Sequence, residues 1–205
     1  MVASQGTGRS KDVTTARGRI PAEPGIWVFI LLDMSIFAEM FGIYAWYRAV
    51  DHDLFRSSQN AVNPLYGLIY TLLLLTSSWC VVMAVSAARQ RLIELSSKLV
   101  LWGFALGAAF AAIKIVEYCA KFSAGITPLT NNFFMFYFVM TLVHLLHASV
   151  GLGVLVYMRR QVSHLAQSTV GTDGRRMRMI EVAAVYWHMV DLLWIVLFAL
   201  FYLRG

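Results

Sequence analysis

The sequence is short of charged residues and of cysteine, and both shortages restrict the class of protein. Only 14% of the 205 residues are charged, whereas 59% are hydrophobic, and the mean hydropathy is +0.65. A water-soluble chain of this size could not cover its surface with so little charge. The two cysteines, Cys80 and Cys119, lie in different apolar segments. We therefore expect no disulfide, no cysteine metal site and a membrane protein with several spans.

The first 23 residues lack the apolar core of a secretory signal peptide. They are polar and carry Arg9, Lys11, Arg17 and Arg19. A short, disordered cytoplasmic tail is therefore expected at residues 1–23. A Ser- and Arg-rich, acid-poor start is also typical of an organelle transit peptide, and this alternative stays open.

Five stretches are long and apolar enough to cross a bilayer. A helical span needs about 20 apolar residues at a rise of about 1.5 Å each. The sequence therefore predicts an all-α, polytopic membrane protein in which residues 24–205 form one bundle of five transmembrane helices. The spans are expected at about 25–47, 65–88, 99–120, 133–158 and 179–203.

The distribution of Lys and Arg predicts the orientation of the bundle. Outside the spans, twelve of these residues fall in the tail, the second loop and the fourth loop, and four fall on the other side. Positively charged loops stay in the cytoplasm, which puts the N-terminus in the cytoplasm and the C-terminus on the opposite side of the membrane. The cations are dispersed between apolar segments, so the net charge of +6 does not indicate nucleic-acid binding.

Several ionisable residues fall near mid-membrane depth. Asp33 lies in the first span, and Glu39 lies on a different face of the same helix. Helical spacing also places two sets on shared faces, which we expect to point into the bundle. These sets are His144, His147 and Gly151 in the fourth span, and Glu181, His188 and Asp191 in the fifth.

The third span combines small residues with a pair of opposite charges. Gly103, Gly107 and Ala111 form a stripe that permits close helix packing, and Gly151 of the fourth span is a further helix-packing candidate. Lys114 and Glu117 follow the stripe three residues apart, so they can neutralise each other.

Two interpretations of the deep polar residues stay open. They are either paired structural groups that hold the helices in register, or they tune the proton chemistry of a partner or hold a lipid headgroup. Asp33 is the best functional candidate, because a lone carboxylate near the midplane is either protonated or paired with a group from elsewhere. No set of ligands resembles a closed zinc site, and we expect no metal bound by this chain.

Ordered motifs in all five spans resemble subunit III of the haem-copper oxidases. The last span, EVAAVYWHMVDLLWIVLFALFYL, is similar to the closing helix of that family, with Tyr-Trp-His and Val-Asp…Trp in the same order. The other similar motifs are KIVEY at 114–118, the helix FFMFYFVMTLVHLLHASVGLGVL, and GIWVFILLDMSIF, where Asp33 takes the place of the family's carbodiimide-reactive glutamate.

The resemblance implies a short, five-helix form of subunit III, most like the branch associated with nitric oxide reductase. It implies an accessory subunit without redox centres that docks on the catalytic subunit I and other oxidase subunits. The chain would bind phospholipid and no cofactor of its own, while haem and copper would lie in the partner. It would support assembly and proton uptake in aerobic electron transport. Aspartate is one methylene shorter than the family's glutamate, which bears on the role carried over to Asp33.

Two other functions are kept as alternatives. One is a free-standing small-solute or proton transporter whose path contains Asp33, Glu39 and His188, although no internal repeat supports it. The other is a small membrane cytochrome that uses His188 opposite His144 or His147. The sequence does not distinguish cytochrome c from quinol as the donor, or oxygen from nitric oxide as the acceptor.

Overall fold

The computed structural model describes residues 24–165 and 173–203, and within these ranges the chain forms α-helices and no strand. The fold is all-α, as predicted. In chain order the helices are α1 Pro24–Val50, α2 His52–Gln59, α3 Pro64–Arg89, α4 Ile93–Ser123, α5 Asn132–Leu165 and α6 Asp173–Tyr202.

Five of these helices are long and apolar enough to cross a membrane, namely α1, α3, α4, α5 and α6. They extend beyond the predicted spans, most clearly at the start of α4, at the end of α5 and at the start of α6. The prediction counted only apolar residues, whereas a helix continues through polar turns into the headgroup region. The predicted tail at residues 1–23 lies outside the described residues.

The short helix α2 was not expected from the sequence. Its eight residues are mostly polar, and they lie between two spans. Phe55 anchors the helix by edge contacts with Tyr44 of α1 and Phe133 of α5, at ring-centroid distances of 5.5 and 5.8 Å. Gln59 donates to the carbonyl of Leu203 at 2.9 Å. These contacts tie α1, α2, α5 and the end of α6 together on one side of the bundle.

Local sequence explains where two of the long helices begin and end. Asn63 caps α3, because its side chain accepts a hydrogen bond from the Leu65 amide at 2.9 Å and Pro64 occupies the first turn. Helix α4 ends before Gly125, whose φ of +77° suits glycine. The Ile126 amide then bonds back to the Lys121 carbonyl at 3.0 Å, which closes the helix end.

Helices α3, α4, α5 and α6 form a closed ring in which each helix packs against its neighbours. Trp187 and Trp194 of α6 are fully buried in the centre of this ring. The outer surface is apolar, with Trp79, Trp102 and Leu146 at least 64% exposed. Such a surface suits contact with lipid tails.

Helix α1 lies at the edge of the ring and packs against it with one face only. Ile30, Phe37 and Tyr44 are buried at intervals of seven residues, and Asp33 is buried beside them. This inward face brings Asp33 against α5.

Candidate functional site

Asp33 and His147 form a hydrogen-bonded contact between α1 and α5. Nε2 of His147 lies 3.0 Å from Oδ1 of Asp33, and Nδ1 of the same ring lies 2.8 Å from the Val143 carbonyl oxygen. The second oxygen of the carboxyl, Oδ2, is buried and has no hydrogen-bond partner among the described residues. Sequence reasoning singled out both residues, but it did not pair them.

These contacts fix how many protons the pair holds. A carbonyl oxygen only accepts, so Nδ1 of His147 must carry a hydrogen. The contact between Nε2 and Oδ1 then needs one more proton, which belongs either to the imidazole or to the carboxyl. Asp33 and His147 therefore share a single proton that can change owner without any movement of the helices.

The pair lies near the outside of the bundle rather than in its centre. The exposed fractions of the side chains are 10% for Asp33 and 20% for His147. The ring of Phe37 packs edge-on against the imidazole at 5.5 Å, and the hydroxyl of Tyr186 lies 3.4 Å from the His147 carbonyl. A group bound beside α1 and α5 could therefore exchange a proton with this pair.

A second ionic cluster lies inside the ring, around Lys114 and Glu117. The Lys114 ammonium is fully buried and donates to Glu117 Oε2 at 2.9 Å, as their spacing suggested. It also donates to the hydroxyls of Tyr137 and Tyr202, at 2.8 and 3.0 Å. Glu117 in turn accepts from Tyr70 at 2.9 Å and from Tyr137 at 2.7 Å. Four helices thus meet at one hydrogen-bonded cluster.

Lys121 adds a second cation to this cluster. Its Nζ lies 3.7 Å from Oε1 of Glu117, one turn further along α4. The spacing of four residues could have indicated this contact. The three tyrosines could not have been found in this way, because they come from α3, α5 and α6 and only packing brings them to Lys114.

His188 and Asp191 share a face of α6 but not a hydrogen bond. Nδ1 of His188 lies 2.6 Å from the Ser78 hydroxyl on α3. Asp191 is buried, and neither of its oxygens has a hydrogen-bond partner among the described residues. No sequence signal pointed to Ser78, because a serine in an apolar helix is common.

The predicted face of α5 divides into two environments. His144 is fully buried between the rings of Phe110 and Trp194, with centroid distances of 5.7 and 5.3 Å. Neither of its ring nitrogens has a hydrogen-bond partner within residues 24–165 and 173–203. His147, one turn away, faces α1 instead. The two imidazoles therefore do not share one polar environment.

Glu181 and Glu39 lie at the surface of the bundle. Glu181 binds the Arg89 guanidinium at 2.8 Å, joining α6 to the end of α3. Glu39 is exposed on α1, on a different face from the buried Asp33. The transporter hypothesis placed Glu39, Asp33 and His188 along one path. In the structure Glu39 faces outward, Asp33 faces α5 and His188 faces α3.

Three predicted packing glycines make room for neighbouring helices. A Cβ on Gly107 would lie 2.6 Å from the Trp187 ring, and one on Gly151 would lie 2.8 Å from the same ring. Gly103 lies against α3, where its carbonyl accepts a hydrogen bond from Ser77 at 2.7 Å. Ser77 also accepts from the Trp187 indole at 3.1 Å. The Trp187 ring is thus held between glycines of α4 and α5.

The described part of the chain offers no obvious metal centre. No group of three or more His, Cys, Asp or Glu side chains is close enough together to hold an ion within those residues. His144, His147 and His188, the three membrane histidines, have separate surroundings: the aromatic core, Asp33 and Ser78.

The apolar outer surface, the five long helices and the buried ionic clusters define a multi-pass membrane protein. The family model for cytochrome c oxidase subunit III matches residues 15–205. The chain therefore belongs to the cytochrome c oxidase subunit III family, as its motifs suggested.

Relatives of known function include subunits of both cytochrome c and quinol oxidases. The chain is 29% identical to cytochrome c oxidase subunit 3 of Thermostichus vulcanus, over 97% of this chain and 98% of the relative. It is 27% identical to cytochrome bo(3) ubiquinol oxidase subunit 3 of Buchnera aphidicola, over 88% and 93%. The Pseudomonas aeruginosa subunit of the same name is 28% identical, over 88% and 84%.

Proposed function

We propose that this chain is the accessory, non-redox subunit III of a respiratory haem-copper oxidase or of a related nitric oxide reductase in a bacterial inner membrane. It docks on the catalytic subunit I, which carries haem and copper, and on other subunits of the complex. It supports assembly, lipid binding and proton uptake. The link to the nitric oxide reductase branch rests on the motifs in the membrane spans of this chain, which resemble that branch.

Family membership over residues 15–205 is the observation that carries the accessory role. The contacts of the ionisable residues agree with it. Lys114 and Glu117 are satisfied inside the chain by each other and by tyrosines. They therefore stabilise the bundle rather than serve a substrate.

The proton-uptake role is supported by the shared proton of Asp33 and His147. The positions of both residues within their spans predict a depth near mid-membrane, and the pair is partly exposed at the edge of the bundle. The hydrogen of this contact lies between Nε2 of His147 and Oδ1 of Asp33, where either group can hold it. Aspartate at this position retains the acid that the family carries as glutamate, and His147 reaches it directly.

The lipid-binding role is supported by a groove between α3 and α4. This groove has a volume of about 240 Å³ and contains Lys121 and Glu117 beside the apolar side chains of Ile113 and Val116. Lys121 lies in the last turn of α4, at the depth expected for a headgroup. An anionic headgroup could bind the ammonium while an acyl chain follows the apolar wall.

Purification of the tagged chain from its native membranes, with Asp33→Asn as the variant, tests the proposal. The wild-type chain should bring down a haem-containing multi-span subunit. Asp33→Asn keeps the shape of the side chain and its contact with His147, so we expect the same haem recovery. Turnover should fall, or should decay faster during sustained activity. Recovery of the chain without haem absorbance would contradict the accessory role, and unchanged turnover would contradict the proton role.

A further inference from the structure

Glu39 is an ionisable residue that the bundle leaves on its outer surface. It lies about 22 Å from Pro24 and about 16 Å from Val50 along α1, at a rise of about 1.5 Å per residue. Its side chain is exposed, and it has no hydrogen bond or ion pair within the described residues. A carboxyl that faces lipid at this depth is strongly unfavourable, and such residues normally face protein. The position therefore calls for a partner outside this chain.

Glu39 points away from the face that packs on the bundle. Phe37, two residues earlier, is 1% exposed. Two residues rotate the side-chain direction by about 200° on a helix of 3.6 residues per turn. Since Phe37 points inward to His147, Glu39 points outward, and no rotamer change brings its carboxyl into the ring of α3, α4, α5 and α6.

The helix surface beside Glu39 carries small residues on one side, whereas Ile36 and Ile43 on the other side are large and exposed. Small exposed residues follow one another at alternating intervals of three and four, namely Ser35, Ala38, Gly42, Ala45 and Ala49. A Cβ built on Gly42 meets no atom within 4 Å. Small residues at this spacing let two helix backbones approach closely in a membrane. This set, together with Glu39, is called the outer face of α1 below.

We propose that the outer face of α1 docks a transmembrane helix of the haem-bearing partner, and that this helix carries a cationic or hydrogen-bond-donating side chain at the depth of Glu39. The inference rests on the proposed function and names the surface that holds the accessory subunit. The Glu39 carboxyl argues against two other occupants of this face, and the proposed function supplies the haem-bearing subunit as its partner. Hydrocarbon offers no donor to the carboxyl, and a second copy of the chain docked through the same face would bring two Glu39 carboxyls together.

Matched glycine substitutions test the docking face in the full-length tagged chain purified from native membranes. Gly42→Leu places a bulky side chain on the outer face, where a partner helix would be displaced. Gly153→Leu is the control, because Gly153 is also exposed on a long helix and its Cβ also meets no atom within 4 Å. For Gly42→Leu we expect the amount of haem recovered per chain to fall about tenfold, which corresponds to a tenfold loss of affinity for the partner. For Gly153→Leu the amount should stay unchanged.

The carboxyl is tested separately by Glu39→Leu and Glu39→Gln. Leucine removes the group that needs a donor, so haem recovery should fall. Glutamine keeps hydrogen-bonding capacity, and it should retain more of the partner than leucine does. If the wild-type chain recovers no haem, the proposed function fails. If the wild type recovers haem and both Gly42→Leu and Glu39→Leu recover as much, the docking proposal fails while the proposed function stands.

Cross-linking identifies the occupant without disturbing the interface. Ala38→Cys is introduced into a chain whose own cysteines are replaced by serine, and a short bifunctional cross-linker is applied to native membranes. A product with the haem-bearing subunit supports the proposal. A product with a second copy of this chain, or with lipid alone, overturns it.

Discussion

The buried charged side chains of this protein differ in how many of their polar atoms have a hydrogen-bond or ion-pair partner. Lys114 and Glu117 bond to each other and to tyrosines of three other helices. Asp33 and His147 bond to each other but leave one carboxyl oxygen without a partner. The first arrangement suits a structural role, because a satisfied buried network rigidifies the core. The second suits proton exchange, because one proton is shared between two groups near the surface.

At the residue scale, substitutions in the Lys114 cluster should have unequal effects on stability. Lys114→Met leaves Glu117 with Lys121 and two tyrosine donors. Glu117→Leu instead leaves two buried ammonium groups without a counter-ion. We expect Glu117→Leu to lower the free energy of unfolding by up to about 3–5 kcal/mol. Lys114→Met should lower it by less.

Unfolding of each variant in detergent measures this order, and the double variant provides the control. Removing both charges leaves only Lys121 unpaired, so the double variant should lose less than the sum of the single losses. Equal losses for the two single variants would contradict the role assigned to Lys121.

At the element scale, close contact between α4, α5 and α6 depends on two positions without a side chain. Gly107 and Gly151 both lie against the Trp187 ring, and both contacts would be shorter than 3.0 Å with a Cβ. The ring cannot shift easily, because its indole nitrogen is bonded to Ser77. Packing of these helices therefore depends on glycine at both positions.

Gly107→Ala and Gly151→Ala should each destabilise the bundle, by about 1–3 kcal/mol for overpacking. Gly153→Ala is the matched control on α5, because its Cβ would meet no atom within 4 Å. It should be neutral or slightly stabilising, since alanine favours helix over glycine. Thermal unfolding in detergent measures all three. A melting temperature for Gly107→Ala equal to that of Gly153→Ala would show that Trp187 can move aside.

At the scale of the whole molecule, the chain is a ring of four helices with a fifth, α1, at its edge. The ring is held together by the buried aromatic and ionic core, whereas α1 contributes one buried face and leaves the other open. This asymmetry gives the molecule a self-sufficient core and one helix available to a partner. The pair of Asp33 and His147 lies on the other side of α1, between this helix and α5.

The orientation of the molecule in the membrane is a prediction from its charges. Twelve Lys and Arg residues on one side against four on the other place the N-terminus in the cytoplasm and the C-terminus in the periplasm. Alkaline phosphatase is active only in the periplasm, so a fusion at the C-terminus should be active and a fusion in the loop before α6 should be inactive. The opposite pattern would reverse the assignment.

The sequence by itself determined the number of spans, the helical class and the family. These follow from the length of apolar runs and from motifs within single helices, which need no knowledge of packing. It also identified the pair of Lys114 and Glu117, because residues three apart on one helix are neighbours wherever the helix lies.

Only the tertiary structure decided which polar groups meet across helices. His147 pairs with Asp33 and His188 with Ser78, and Asp191 and His144 lack a hydrogen-bond partner in the described residues. Helical periodicity gives the face on which a residue lies but not which helix that face meets. Helix α1 packs against the ring through Ile30, Phe37 and Tyr44, and this packing buries Asp33 and leaves Glu39 on the outside of the same helix.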